Sequence, residues 1–179
     1  MVFIEAASFR MGSDRYYPEE APTREVKVDA FWIDETPVTN AQFAKFVADT
    51  GYVTLAEKAP ELSDYPDALP EMLSPGSLVF VPPPQEVSLS GPVTWWKFVF
   101  GAHWRHPAGP LSSLARLENH PVVHIAYEDA DAYAKWSGKE LPSEAQWEAA
   151  ARGGLEGNEF AWGDELAPNG RLLANPSYS

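Results

Sequence analysis

Four histidines, His103, His106, His120 and His124, crowd into one stretch of the chain. His103 and His106 bracket Trp104 and Arg105, and His120 and His124 stand four apart. Imidazoles so placed could ligate zinc, which favours tetrahedral sets of nitrogen and sulfur donors. The chain has 0 Cys to join them, and Pro107 and Pro121 directly follow His106 and His120, a pattern that suits turn-anchoring hydrogen bonds. They are therefore read as structural histidines. Glu128, Asp129 and Asp131 fall at the start of a helical pattern, where the helix dipole favours negative charge. Their spacing does not show two carboxylates converging on one cleft, as hydrolysis of a glycoside would need. Trp95, Trp96 and Trp104, with Phe98 and Phe100, concentrate aromatic surface in a proline-rich region. Neighbours on a strand face opposite ways, so Trp95 and Trp96 cannot both enter the same core. An exposed indole in a groove suits a peptide's proline or aliphatic side chain; burial of both rings between loops is the alternative.

The elements that must position these residues are short. His120 to Ala126 reads as an apolar strand, followed by a helix whose Tyr127, Ala130, Tyr133, Ala134 and Ser137 share a face and whose stop is Gly138. Ser143 and Gln146 form a capping box for a second helix, ended by Gly153 and Gly154. Thr39 and Gln42 repeat that box upstream, ahead of an apolar stripe of Phe43, Phe46 and Val47 that stops before Gly51 and is expected to pack on the early strands. Those strands are expected at Val2 to Ile4 and Ser8 to Met11, flanking a short turn, then at Glu25 to Asp29 and Phe31 to Ile33. From Thr54 to Pro110 prolines interrupt every helix pattern, leaving strands at Ser77 to Val81 and Val93 to Val99. So long an irregular stretch is often functional.

Aromatic content is ample for a core, with 7 Trp, 7 Tyr and 9 Phe, and 17 Pro with 12 Gly argue for a loop-rich α+β fold of few helices and short antiparallel strands. One domain is expected from 179 residues. A net charge of −13 repels phosphate backbones and anionic headgroups, so neither nucleic acid nor a membrane is an expected partner. With no signal-peptide pattern and no stretch approaching about 20 apolar residues, a cytoplasmic location is expected.

The run WSGKELPSEAQWEAAARGG, with the later FAWGDEL and the earlier WRHP, resembles the formylglycine-generating enzymes, or sulfatase-modifying factors, of the bacterial type. MVFIEAASFRMGS, VDAFWIDETPVTNAQFAKFV and GAHWRHPAGP are similar to that family's opening segments in the same order, so the resemblance covers essentially residues 1–179. It implies a fold related to C-type lectin-like architectures and a chain that forms the N-terminal part of one incomplete domain. The family's reaction oxidises the cysteine of a sulfatase Cys-x-Pro-x-Arg motif to formylglycine, using oxygen and a copper(I) ion held by two thiolates. With no cysteine here, the resemblance implies no catalytic residue, no bound copper and no turnover by this chain alone. It places Trp95 in the groove for the sulfatase peptide and makes a peptide or an unfolded sulfatase the expected partner. Asn175, through its side chain, and Pro176, through its carbonyl, match calcium ligands of the family. Calcium takes six to eight oxygens, so two would hold it weakly. The alternative function is a non-catalytic peptide- or protein-binding module on the same scaffold.

Overall fold

The computed structural model describes residues 1–63, 65–67, 69, 73–83 and 95–174. Asn175 and Pro176 lie outside the described residues. In chain order the elements are β1 (Val2–Ile4), β2 (Ala7–Met11), β3 (Arg24–Val28), β4 (Phe31–Ile33), α1 (Asn40–Thr50), β5 (Gly76–Phe80), β6 (Trp96–Phe100), α2 (Tyr127–Trp136) and α3 (Glu144–Arg152), with 3-10 turns at Pro18–Glu20, Leu55–Glu57 and Pro168–Gly170. The fold is α+β and loop-rich, its strands joined in antiparallel pairs. The chain forms two compact units, one from Met1–Thr36 with the chain from Pro142 on, the other from Pro37–Leu141.

In the first unit the strands nest: β1 pairs with β4, and β2 with β3. Sequence reading set β1 and β2 on either side of a turn, and they do flank one, but each takes a partner from farther along the chain. Alternation on β2 and β3 sends Phe9, Met11 and Val28 into a core that α3 covers with Ala145 and Ala149. Two alanines one turn apart let the helix backbone approach the ribbon closely. The cap of α3 is as read: Ser143 Oγ accepts from Gln146 N–H, the Gln146 side chain accepts from Ser143 N–H, and Gly153 closes the helix at φ 57°.

In the second unit, α1 has the same reciprocal cap between Thr39 and Gln42 and ends at Gly51 with φ 68°. Its stripe of Phe43, Phe46 and Val47 does not find its partners among the early strands. It packs on Trp104 and on Tyr133 and Trp136 of α2. The rings meet edge-on, Phe43 with Trp104 at 5.2 Å and Phe46 with Tyr133 at 5.7 Å, the arrangement the ring quadrupoles favour. The buried side of α2 is correspondingly set by Asp129, Ala134 and these two aromatics, leaving Tyr127 exposed.

No strand forms over 120–126. That segment instead runs beside the start of α1: Asn40 N–H donates to His120 O at 2.9 Å, Ala41 N–H to Glu118 O at 2.9 Å, and Val122 N–H to Val38 O at 2.9 Å. These carbonyls take up helix N–H groups that have no partner within the helix. A left-handed His124, at φ 59°, then turns the chain toward α2. Of the apolar run, Val122 and Ile125 pack partly buried on the core while Val123 is exposed, and its backbone serves a helix end.

Candidate functional site

The second unit brings most of the chemically capable residues together around the β5–β6 ribbon. Its register sets Gly76 opposite Phe100, Leu78 opposite Phe98 and Phe80 opposite Trp96. Gly76 is required by closeness: a Cβ there would meet Val99 O at 2.5 Å. β5 starts a residue before the Ser77 read from sequence; Val93 and Thr94, read as the start of the second strand, lie outside the described residues.

Trp95 stands just before β6 and Trp96 is its first residue. Trp95 is half-buried and its carbonyl accepts from Val81 N–H at 2.7 Å, extending the ladder by one bond. Trp96 is exposed with Leu78, Phe80, Phe98 and Phe100, so one whole face of the ribbon is apolar and open. Sequence reading counted the aromatic residues but missed that five large apolar side chains share this face; the i, i+2 spacing of Leu78 with Phe80 and of Trp96 with Phe98 and Phe100 carried that signal.

β5 packs against the Leu55–Glu57 turn. Glu57 is the node there. One carboxylate oxygen accepts from the backbone N–H of Thr54 at 3.0 Å and from its hydroxyl at 2.8 Å, and the other accepts from Arg105 at 2.9 Å. Burial acts to raise the Glu57 pKa, but the Thr54 hydrogen bonds and the Arg105 charge outweigh it and hold the carboxyl below its ordinary range. The Arg105 guanidinium also lies 4.2 Å from the ring centre of Trp104, which is 2% exposed. His103 sits 3.7 Å from Glu57, yet burial depresses its pKa and Glu57 only partly compensates. The ring is therefore neutral near pH 7, and the contact is not an ion pair under those conditions. Glu57 thus pins the loop carrying Arg105 to the ribbon.

Of the other three histidines, His106 and His124 are held by backbone and hydroxyl groups, whereas the His120 side chain is exposed and only its backbone takes part in the hydrogen bonds shown. His106 Nδ1 donates to Ser112 O at 2.5 Å, and His124 Nε2 donates to Pro107 O at 2.8 Å while its Nδ1 lies 2.9 Å from Ser77 Oγ. His124 thereby ties β5 to the loop after Arg105. Among the described residues, no three His, Cys, Asp or Glu side chains are grouped so as to hold a metal ion.

Asp129 is the helix-start acid that the sequence suggests, and it is also buried, at 1% exposed. Its carboxylate accepts from Ala126 N–H at 2.9 Å, Leu55 N–H at 3.1 Å and Tyr52 hydroxyl at 3.1 Å. It fastens the Leu55–Glu57 turn, and through it β5, to α2. Burial, then the Asp129 hydrogen bond, pushes the Tyr52 hydroxyl up to about 12.

Comparison with known proteins then decides the family. Residues 1–179 match the sulfatase-modifying factor enzyme 1-like domain. The chain belongs to this family. Members similar to it include the formylglycine-generating enzyme of Mycobacterium tuberculosis, 51% identical over 98% of this chain and 58% of that protein. The formylglycine-generating enzyme of Streptomyces coelicolor is 46% identical over 97% of this chain and 54% of its own length. A mouse protein named inactive C-alpha-formylglycine-generating enzyme 2 is 40% identical over 94% of this chain and 52% of its length. This family member therefore spans a little over half the length of these relatives. The family match over residues 1–179 takes in both compact units.

Proposed function

We propose that this chain supplies the peptide-binding part of a formylglycine-generating domain and engages the Cys-x-Pro-x-Arg segment of a sulfatase. The observation that carries the reading is identity of 51% with the M. tuberculosis enzyme along 98% of the chain. Trp95 is the residue we assign to peptide contact. Its ring is half-buried and its carbonyl pairs with Val81 N–H, while the turn that Glu57 and Asp129 fix packs against the neighbouring strand β5. A rigid indole of this kind gives a peptide's proline a flat partner at small entropic cost.

The reaction associated with the family needs copper(I), whose soft character calls for thiolates. The donor set of this chain does not fit that ion: it has 0 Cys. Two of its histidines, His106 and His124, are engaged in the hydrogen bonds described above. Binding of the peptide without oxidation is therefore the activity assigned to these 179 residues. The same reasoning extends to calcium: Asn175 and Pro176 offer two oxygens of the six to eight required, so any calcium held by them alone is weak.

Titration of a Cys-x-Pro-x-Arg peptide into the purified chain tests the reading. Saturable binding that is weakened in Trp95→Ala, with the peptide cysteine unchanged by mass spectrometry, supports it; binding insensitive to that substitution removes Trp95 from the site. A second reading, a non-catalytic module for a different protein partner, draws on the open apolar face of β5–β6 and on the 40% identity to a relative named inactive. It is favoured if scrambled peptides bind as well as the sulfatase motif.

A further inference from the structure

The two edges of the β5–β6 ribbon are not alike. β5 packs against the Leu55–Glu57 turn, whereas among the described residues β6 pairs with β5 and with no other strand. Val81 N–H donates to Trp95 O and Gly101 N–H to Pro75 O, so the hydrogen-bonded rungs of this antiparallel ladder fall at 75–101, 77–99, 79–97 and 81–95. Val99 O agrees with that count, since it faces β5 closely enough to exclude a Cβ from Gly76. The N–H and C=O groups of Trp96, Phe98 and Phe100 therefore point out of the ribbon, and among the described residues nothing hydrogen-bonds to them.

Open edges of this kind template pairing with another chain, and proteins blunt them with proline, bulges or charge. β6 has an unbroken register, no proline and one charge, Lys97. The residues with outward backbone groups also carry three half-exposed aromatic side chains of the open face. A strand that completes this edge must be extended, must carry apolar side chains at alternate positions, and must put no cation opposite Lys97.

β6 of a second copy meets each requirement. About a twofold axis at Phe98, Phe98 lies opposite the partner's Phe98, and Trp96 opposite the partner's Phe100. Every outward N–H then meets an outward C=O, and Lys97 falls opposite the partner's Val99. Aromatic side chains present about 150–250 Å² each, so three half-exposed ones offer roughly 200–400 Å² per copy, in the class of small, weak and reversible interfaces. The net charge of −13 per copy repels at long range and is screened by salt, whereas the two strands themselves hold only Lys97.

We propose that β6 is a self-association edge, on which a second copy of this chain docks antiparallel to form a four-stranded sheet in a weak, reversible dimer. The pairing does not use Trp95 and is independent of the peptide-binding reading.

Sedimentation velocity of the full chain, from micromolar to millimolar concentration, should show a monomer–dimer equilibrium that moves toward dimer as salt rises. Phe98→Pro removes an outward N–H while sparing the inward rungs, and should weaken the dimer by about tenfold or more. If that variant loses its folded spectrum, Phe98→Lys, which sets two cations against each other on the axis, carries the comparison. Because the chain has 0 Cys, single cysteines report the register. A disulfide needs Cα atoms about 4.4–6.8 Å apart, so Phe98→Cys should crosslink to itself under mild oxidation, and Trp96→Cys and Phe100→Cys should crosslink when mixed but not alone. Leu111→Cys, fully exposed elsewhere, gives the rate of random collision. A monomer at every concentration, a dimer indifferent to the Phe98 substitutions, open-ended aggregates in place of a dimer, or Phe98→Cys crosslinking no faster than Leu111→Cys would overturn the proposal. So would a chain that stays monomeric yet binds an alternating Thr–Val peptide at this edge, which would assign the edge to a foreign strand.

Discussion

Replacing Asp129 by alanine strips three donors of their acceptor at once. The Leu55 and Ala126 amides and the Tyr52 hydroxyl all point at a carboxylate that is 1% exposed, so water cannot readily take its place. Leaving a buried donor unpaired costs about 1–3 kcal/mol. Allowing the Tyr52 hydroxyl to swing toward solvent, two stranded amides give a loss of about 2–6 kcal/mol, a large share of the roughly 5–15 kcal/mol that stabilises a typical domain. Asp129→Asn keeps the shape but turns an NH₂ toward some of these donors, so it should be costly too, while Tyr52→Phe removes a single hydrogen bond and should cost about 1 kcal/mol. Urea unfolding followed by near-ultraviolet circular dichroism, with a double-mutant cycle between Tyr52→Phe and Asp129→Asn, measures these terms. The cycle should show coupling, because the tyrosine has less to lose once its acceptor is altered. A loss below about 1 kcal/mol for Asp129→Ala would refute the claim that this side chain fastens the Leu55 turn to α2.

Other consequences are simpler. The Tyr52 hydroxyl is raised from 10.0 to about 12 in the folded chain, so its contribution to stability is complete below pH 10 and is lost as the pH rises through 12; unfolding curves of Tyr52→Phe across that window should lack this component. Phe43→Ala, at 1% exposure against Trp104 and Tyr133, should cost about 3–5 kcal/mol in the same urea assay. Ser143→Ala and Thr39→Ala should each cost about 1 kcal/mol, because each removes an acceptor for a helix-start amide. Trp96→Ser with Phe98→Ser should lower binding of an apolar dye with little loss of stability, since both side chains are half-exposed.

What could be read from sequence follows from the range of the interactions. Caps are local: Thr39 with Gln42, Ser143 with Gln146, and the glycines 51 and 153 announced both helices with correct ends. Alternation is local as well, and it puts Leu78 and Phe80 on one face with Trp96, Phe98 and Phe100. The nested pairing of β1 with β4 is a choice among several short apolar strands, decided by packing that no window of sequence contains. The 120–126 run misled because it runs beside the start of α1, some 80 residues away in the chain, where the His120 carbonyl takes the Asn40 amide, a service invisible to periodicity. Asp129 was legible only in its helix-start role. An acid near a helix start already has a sufficient local explanation, and only the Leu55 and Tyr52 donors, 74 and 77 residues distant, reveal that it is buried. Residue type told even less about Glu57, whose importance depends on Thr54 and Arg105 meeting on its two oxygens.

The central claim is a scaffold able to hold the sulfatase peptide without the sulfur donors to oxidise it, and one measurement addresses it. The purified chain is incubated with a Cys-x-Pro-x-Arg peptide, copper(I) and oxygen, and the peptide is read by mass spectrometry alongside its bound fraction. A saturable bound fraction with every cysteine intact is the result expected; appearance of the formylglycine aldehyde, or no bound peptide at any concentration, contradicts the account.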